Sequence, residues 1–161
     1  MTVVVWLVED SWPAPVAAAR AHAPAASEVL LLHVADPAPP AAAHAAYAGL
    51  LGRGHPGHDP GDALDDLAED HARRLLEAAA RRLGRPCRVV GRRGRAASEV
   101  VRAAVGAELL VLARDGERDR PGPASLGQDA RFVVDHAPCP VLLVWPGPPP
   151  DDASTPPPPP H

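Results

Sequence analysis

The stretch ARDGERDRPGPASLGQ, residues 113–128, has the residue types of a phosphate cradle. It follows the apolar run ELLVL, precedes a helix-like segment, and carries Gly116, Gly122 and Gly127. A strand, a glycine loop and a helix start together aim bare backbone N–H groups at an anion. Glycine puts no Cβ in the way, and the helix dipole favours negative charge at its N-terminus. The same loop carries residues that work against an anion. Asp115 and Glu117 add negative charge, and Asp129 already occupies the positive end of the following helix. Arg114, Arg118 and Arg120 push the other way, but they alternate with acids as in a solvated loop.

A second acidic loop, Glu9-Asp10-Ser11, follows the first apolar run. In HPGHDPGD, the residues His55, His58, Asp59 and Asp62 offer nitrogen and oxygen ligands of the kind zinc takes. Two prolines and two glycines mark that segment first as a loop, so no metal site is expected. Ser98 and Glu99 read as the start of a helix rather than a nucleophile with its base. His33 sits inside an apolar run, which favours a core hydrogen bond over catalysis, and His136 reads as structural. Trp6, Trp12 and Trp145 are too scattered to form a base-stacking platform. No catalytic set emerges.

Composition narrows the chemistry further. The chain has 161 residues, enough for one domain with a real core, and contains no Lys, Ile or Asn. Those residues have AT-rich codons, so the all-Arg basic set reflects a GC-rich genome before it reflects phosphate recognition. The absence of Lys excludes a P-loop lysine, a Schiff base and a lysine general base. A net charge of −4 gives no basic field for nucleic acid or anionic membrane. No run approaches the ~18 apolar residues of a membrane span. The run VVVWLV is too short for a signal peptide, and Cys87 and Cys139 form no CxxC, so a reduced, cytoplasmic protein is expected.

These residues need elements to position them. Apolar runs at 3–8, 29–35, 88–90, 109–113 and 141–145 are continuous rather than alternating, as in parallel strands buried on both faces. Helical spacing separates them. Leu64, Leu67, Ala68, Leu75, Leu76, Ala79 and Leu83 form one apolar stripe, with Asp62 as its cap and Gly84 as its stop. Residues 13–23, 96–106 and 128–137 read as three further helices. The alternation is that of a single open doubly wound α/β domain spanning residues 1–146. Residues 36–61 form a long Ala/Pro/Gly connection holding a short helix near 41–51. Residues 147–161, rich in proline, read as a disordered tail.

Several stretches together resemble the universal stress protein family. EVLLLHVADP is similar to its second strand and exit, and VVGRRGRAASEVVRAAVGAELLVLA to its third strand, third helix and fourth strand. HAPCPVLLVW resembles its final turn and fifth strand. The resemblance implies a Rossmann-like, adenine nucleotide alpha hydrolase-like sheet of five parallel strands in the order 3-2-1-4-5. It places the acidic loop and the glycine loop at one crevice, the switch point between strands 1 and 4. It also puts Cys87 and Cys139 at opposite sheet edges, beyond disulfide reach.

ATP-binding members of the family carry a glycine, two residues, a glycine, nine residues, then a glycine and Ser or Thr. Ala113 falls at the first glycine, Gly116 at the second, Gly127 at the third and Gln128 at the hydroxyl. Ten residues separate Gly116 from Gly127, one more than the pattern. Glu9 and Asp10 stand where the family has Asp-Gly, and Val34 lies at the exit of strand 2. The resemblance therefore implies a nucleotide pocket formed by Glu9, Asp10, Val34, Ala113, Gly116, Gly127 and Gln128, degenerate in its phosphate turn. The expected function is a non-enzymatic stress-response or regulatory protein with no firm cofactor. An ATP-binding nucleotide sensor is the alternative, and a nucleotide hydrolase the more distant one. The apolar edge of strand 5, Val141, Leu142, Leu143 and Val144, implies a homodimer.

Overall fold

The computed structural model describes residues 1–51, 60–119 and 121–151. His55, His58 and Asp59 of the weighed metal group, Arg120, and residues 152–161 of the proline-rich tail lie outside them.

Five parallel strands form one sheet: β1 (Thr2–Leu7), β2 (Glu28–Ala35), β3 (Cys87–Arg93), β4 (Leu109–Ala113) and β5 (Val141–Val144). Their order is β3-β2-β1-β4-β5. β1 is central, with Val3 opposite Val29 of β2 on one side and Leu109 of β4 on the other. Continuous apolar runs suit this position because both faces are covered. Val3, Val5, Leu7, Val29 and Leu31 pack on one face against Val16 and Ala19 of α1 (Pro13–His22). Leu75, Leu76, Ala79 and Leu83 of α3 (Pro60–Leu83) complete that layer. Val4, Trp6, Leu32, Leu110 and Leu112 point to the other face. There they meet Ala97 and Val100 of α4 (Ala96–Ala103) and Ala130 and Val133 of α5 (Gln128–His136). Chain winding thus reverses between β1 and β4.

The expected short helix in the long connection is longer than its sequence signal. It forms α2, Ala38–Leu51, which opens after Asp36 accepts the Ala38 N–H at 2.9 Å and packs along α3. The α3 start also differs from expectation. The helix begins at Pro60, so Asp62 lies inside the first turn and does not cap it. Gly84 ends it as expected, in the left-handed conformation at φ +69°, with its N–H on the Ala80 carbonyl at 3.2 Å. The apolar stripe is buried only in its second half, while Leu64 and Leu67 are 40% and 65% exposed. Length explains this. A 24-residue helix runs about 36 Å, whereas a strand of seven residues covers only about 23 Å. The first turns of α3 overshoot the sheet and stand beside the carboxyl ends of β1 and β2.

Arg85 ties the end of α3 to the turn before β2. Its guanidinium donates to the carbonyls of Pro24 at 3.0 Å, Ala25 at 3.2 Å and Ser27. Cys87 and Cys139 are free thiols on opposite faces of the sheet, and burial pushes both pKa values up. Among the described residues, no helix is long and apolar enough to cross a membrane.

Candidate functional site

The carboxyl ends of β1, β2 and β4 meet at the reversal point, where loops from both halves converge. After β1 the chain turns at once, with the Val8 carbonyl accepting from Ser11 N at 3.0 Å and Trp12 N at 2.8 Å. This turn buries Ser11 and leaves Glu9 and Asp10 exposed. Glu9 Oε1 lies 3.1 Å from His71 Nε2 of α3. Both partners are half exposed or more, so the pair adds little stability, yet it directs Glu9 along α3 rather than toward β4. On β2, His33 Nδ1 donates to the Leu7 carbonyl at 3.1 Å, the hydrogen bond its place in an apolar run required. A carbonyl only accepts, so the ring nitrogen that faces it carries its proton.

Beyond β4 the structure decides what the glycines are for. Ala113 is the last residue of β4, buried and paired with Val144. The chain then loops through Gly122, which adopts φ +121°, and a single 3-10 turn at Pro123–Ser125 before α5. This turn folds back on the loop start. Gly116 N donates to Ser125 O at 3.1 Å and Glu117 N to Ala124 O at 2.8 Å. A Cβ on Gly116 would sit 2.2 Å from the Ala124 carbonyl oxygen. The glycine is demanded by this close backbone approach, and its N–H is spent within the loop.

The start of α5 is also filled from within. Asp115 Oδ1 accepts the Gly127 N–H at 2.6 Å, and Oδ2 accepts the Ala130 N–H at 3.1 Å. One carboxylate thus satisfies two of the orphan amides where an external anion would bind. A Cβ on Gly127 would come within 2.9 Å of the Asp115 carboxyl group. Asp129 stands in the first turn of α5, at its positive end as expected, and lines the crevice, while the hydrogen bonds to the amides come from Asp115. Sequence reasoning placed Asp115 in the loop without this role, because the contact spans 12 to 15 residues and depends on the loop doubling back. Gln128 opens α5 and is exposed.

Arg114 completes the loop. Its guanidinium donates to the buried Ser125 hydroxyl and lies 4.6 Å from the centre of the Trp145 ring. The charge is therefore held toward the end of β5. Ser98 and Glu99 lie in the first turn of α4, where the Glu99 carboxylate is taken by Arg92 at 3.1 Å and Arg102 at 2.5 Å. His136 stacks on Phe132 with ring centres 4.1 Å apart and bonds its carbonyl at 2.8 Å.

Two cavities share the strand ends. The smaller, about 140 Å³, is lined by Trp6, Val8, His33, Val34, Asp115 and Asp129. The larger, about 610 Å³, opens between β2 and the overshooting part of α3, and shares Val8, His33 and Val34 with the first. Of the residues expected to form a pocket, Val34 lines both cavities and Glu9 only the larger, Gly127 bonds the Asp115 carboxylate, and Asp10, Ala113, Gly116 and Gln128 line neither. The small cavity falls below the roughly 300–1,000 Å³ usual for a ligand cleft, whereas the larger falls within it. Among the described residues, no three His, Cys, Asp or Glu side chains gather as a metal site.

A model of the universal stress protein family matches residues 2–144. The fold is similar to that of the universal stress protein UspA from Lactobacillus plantarum. That protein is 20% identical with a TM-score of 0.55, over 89% of this chain and 97% of that one. A universal stress protein solved in complex with cAMP is 18% identical with a TM-score of 0.58, over 91% and 98%. A family protein from Arabidopsis thaliana solved with AMP bound is 17% identical with a TM-score of 0.58, over 97% and 95%. No curated protein sequence matches the chain significantly.

Proposed function

The chain belongs to the universal stress protein family, and we propose that it is a non-enzymatic regulatory or interaction module that acts by association in the cytoplasm. The observation that carries this reading is the Asp115 carboxylate bonded to Gly127 N and Ala130 N. A nucleotide phosphate would have to displace that group and face its charge. Lost hydrogen bonds and like-charge repulsion then act together against binding. The sequence has no Lys, and Glu99, next to Ser98, has its carboxylate held by Arg92 and Arg102, which supports association over turnover.

The test is the nucleotide content of the purified protein, followed by calorimetric titration with ATP. Neither retained nucleotide nor micromolar ATP affinity is expected. Micromolar binding would overturn the closed-turn reading in favour of an ATP sensor, the second reading. That reading draws on the AMP and cAMP bound to two proteins of the same fold.

Association requires a surface, and the open edge of β5 supports a homodimer. Among the described residues Val141–Val144 pairs with β4 alone, and all four residues are half buried. Unpaired strand edges invite another strand, and a second copy satisfies the edge isologously.

A further inference from the structure

We infer that the outer edge of β3 takes an extended segment of a partner protein as a further strand, one whose side chains alternate between apolar and acidic. The inference rests on the association proposed above and gives it a second surface. β3 ends the sheet opposite β5, and among the described residues no strand pairs with its outer side. The Gly94 N–H donates to Ala35 O of β2 at 3.1 Å. Backbone direction alternates along a strand, so the N–H and C=O groups of Val89 and Gly91 face outward. Both residues are exposed, Val89 by 50%. A row of outward donors and acceptors is a template for another strand.

The side chains on the two faces of this edge select the partner's pattern. On the α3 face, a cavity of about 680 Å³ opens between α3 and β3, with Ala72, Leu76, Ala80, Val89 and Gly91 in its wall. A Cβ on Gly91 would meet only Leu76 Cδ1, at 3.8 Å, so the cleft has room for apolar side chains from a neighbouring strand. Two cations of its rim are paired already, Arg93 with Glu69 at 2.9 Å and Arg73 with Asp70 at 2.6 Å. On the α4 face stand Arg88, 3.5 Å from Glu28, and Arg92, 3.1 Å from Glu99. Glu99 is shared with Arg102, and the exposed Arg95 adds a further charge at the start of α4. Positive charge is in excess here, on a chain whose net charge is −4. A second copy fits this edge badly. Full antiparallel overlap of two β3 strands sets Arg88 opposite Arg92 twice, and like charges directly opposite destabilise a pair. The chain's own proline run, 156–160, fits no better, because proline has no N–H to offer. A foreign strand with apolar residues toward α3 and carboxylates toward the arginines meets both faces.

The experiment is a fluorescence-anisotropy titration of the full chain with a labelled peptide of alternating valine and glutamate, matched to β3 in length, and with its valine–lysine counterpart. The variants are Val89→Pro, Arg88→Glu and, as a control on the other edge, Leu143→Pro. Val89→Pro removes an outward N–H and keeps the bonds to β2. Thermal midpoints establish that the variants fold, and Arg88→Glu decides should Val89→Pro fail to. Wild type should bind the glutamate peptide at least tenfold more tightly than the lysine peptide. Val89→Pro and Arg88→Glu should each weaken that binding at least tenfold, and Leu143→Pro should leave it within threefold. No binding of the glutamate peptide, or equal affinity for both peptides, overturns the inference alone and leaves association through β5 standing. Unchanged affinity in folded Val89→Pro overturns it in favour of attraction by charge without strand pairing. Loss of binding in Leu143→Pro overturns it in favour of the β5 edge. Micromolar ATP binding is the separate result that overturns the association reading itself.

Discussion

At the scale of single residues, Asp115 does locally what a helix cap does, but from a distant loop. Its carboxylate meets Gly127 N and Ala130 N at the positive end of α5. Asp115→Ala should therefore destabilise the fold by about 1 kcal/mol, the usual cost of a lost cap. Urea unfolding measures this, and a loss near zero would mean that water replaces the carboxylate fully. Gly116→Ala should cost more, roughly 1–3 kcal/mol, because its Cβ meets a backbone oxygen at 2.2 Å rather than a side chain that can swing aside. The two substitutions separate explanations of the loop glycines. If Gly116 served only an external phosphate, alanine there would leave unliganded stability unchanged.

At the scale of elements, β1, β2 and β4 were legible because a buried parallel strand is apolar throughout. The edge strand β3 instead carries three arginines and leaves Val89 50% exposed, against the expectation of burial on both faces. The ends of α3 show where that legibility stops. Its apolar stripe correctly names Leu75, Leu76, Ala79 and Leu83, but Leu64 and Leu67 share the period without sharing the core. Periodicity reports which face is apolar. It does not report where the opposing sheet ends. Leu76→Ala should cost about 2–5 kcal/mol and lower the thermal midpoint by roughly 5–15 °C. Leu67→Ala should stay within about 0.5 kcal/mol, as an exposed substitution does. A comparable loss at both positions, measured by the same thermal scans, would mean that something covers the overshooting turns. The site was legible to a similar depth. The resemblance put the acidic loop and the glycine loop at one crevice, and there Glu9 lines the larger cavity while Gly116 is taken up by backbone contacts within its own loop. The capping role of Asp115 was not legible, since it depends on the path of a loop through Gly122 and the turn at Pro123–Ser125.

At the scale of the whole molecule, the proposed dimer can be tested through the two sides of β5. The Pro140 carbonyl accepts from Leu110 N and the Val144 carbonyl from Arg114 N, each at 2.9 Å. Residues of one strand alternate in direction, so Pro140, Leu142 and Val144 turn their backbone groups toward β4, and Val141 and Leu143 turn theirs outward. A second strand pairing with this edge must use the outward N–H of Leu143. Proline lacks that N–H and is tolerated where the missing donor faces away from its own sheet. Leu143→Pro should therefore convert a dimer into a monomer while keeping the bonds to β4. Leu142→Pro, one residue earlier, removes an inward donor and should unfold the edge. Sedimentation equilibrium at micromolar concentration is expected to give twice the 16.7 kDa chain mass for wild type and the single mass for Leu143→Pro. A wild-type monomer would leave β5 an unpaired edge. A Leu143→Pro dimer would move the interface off this strand, most directly to the α5 face that leaves Phe132 41% exposed.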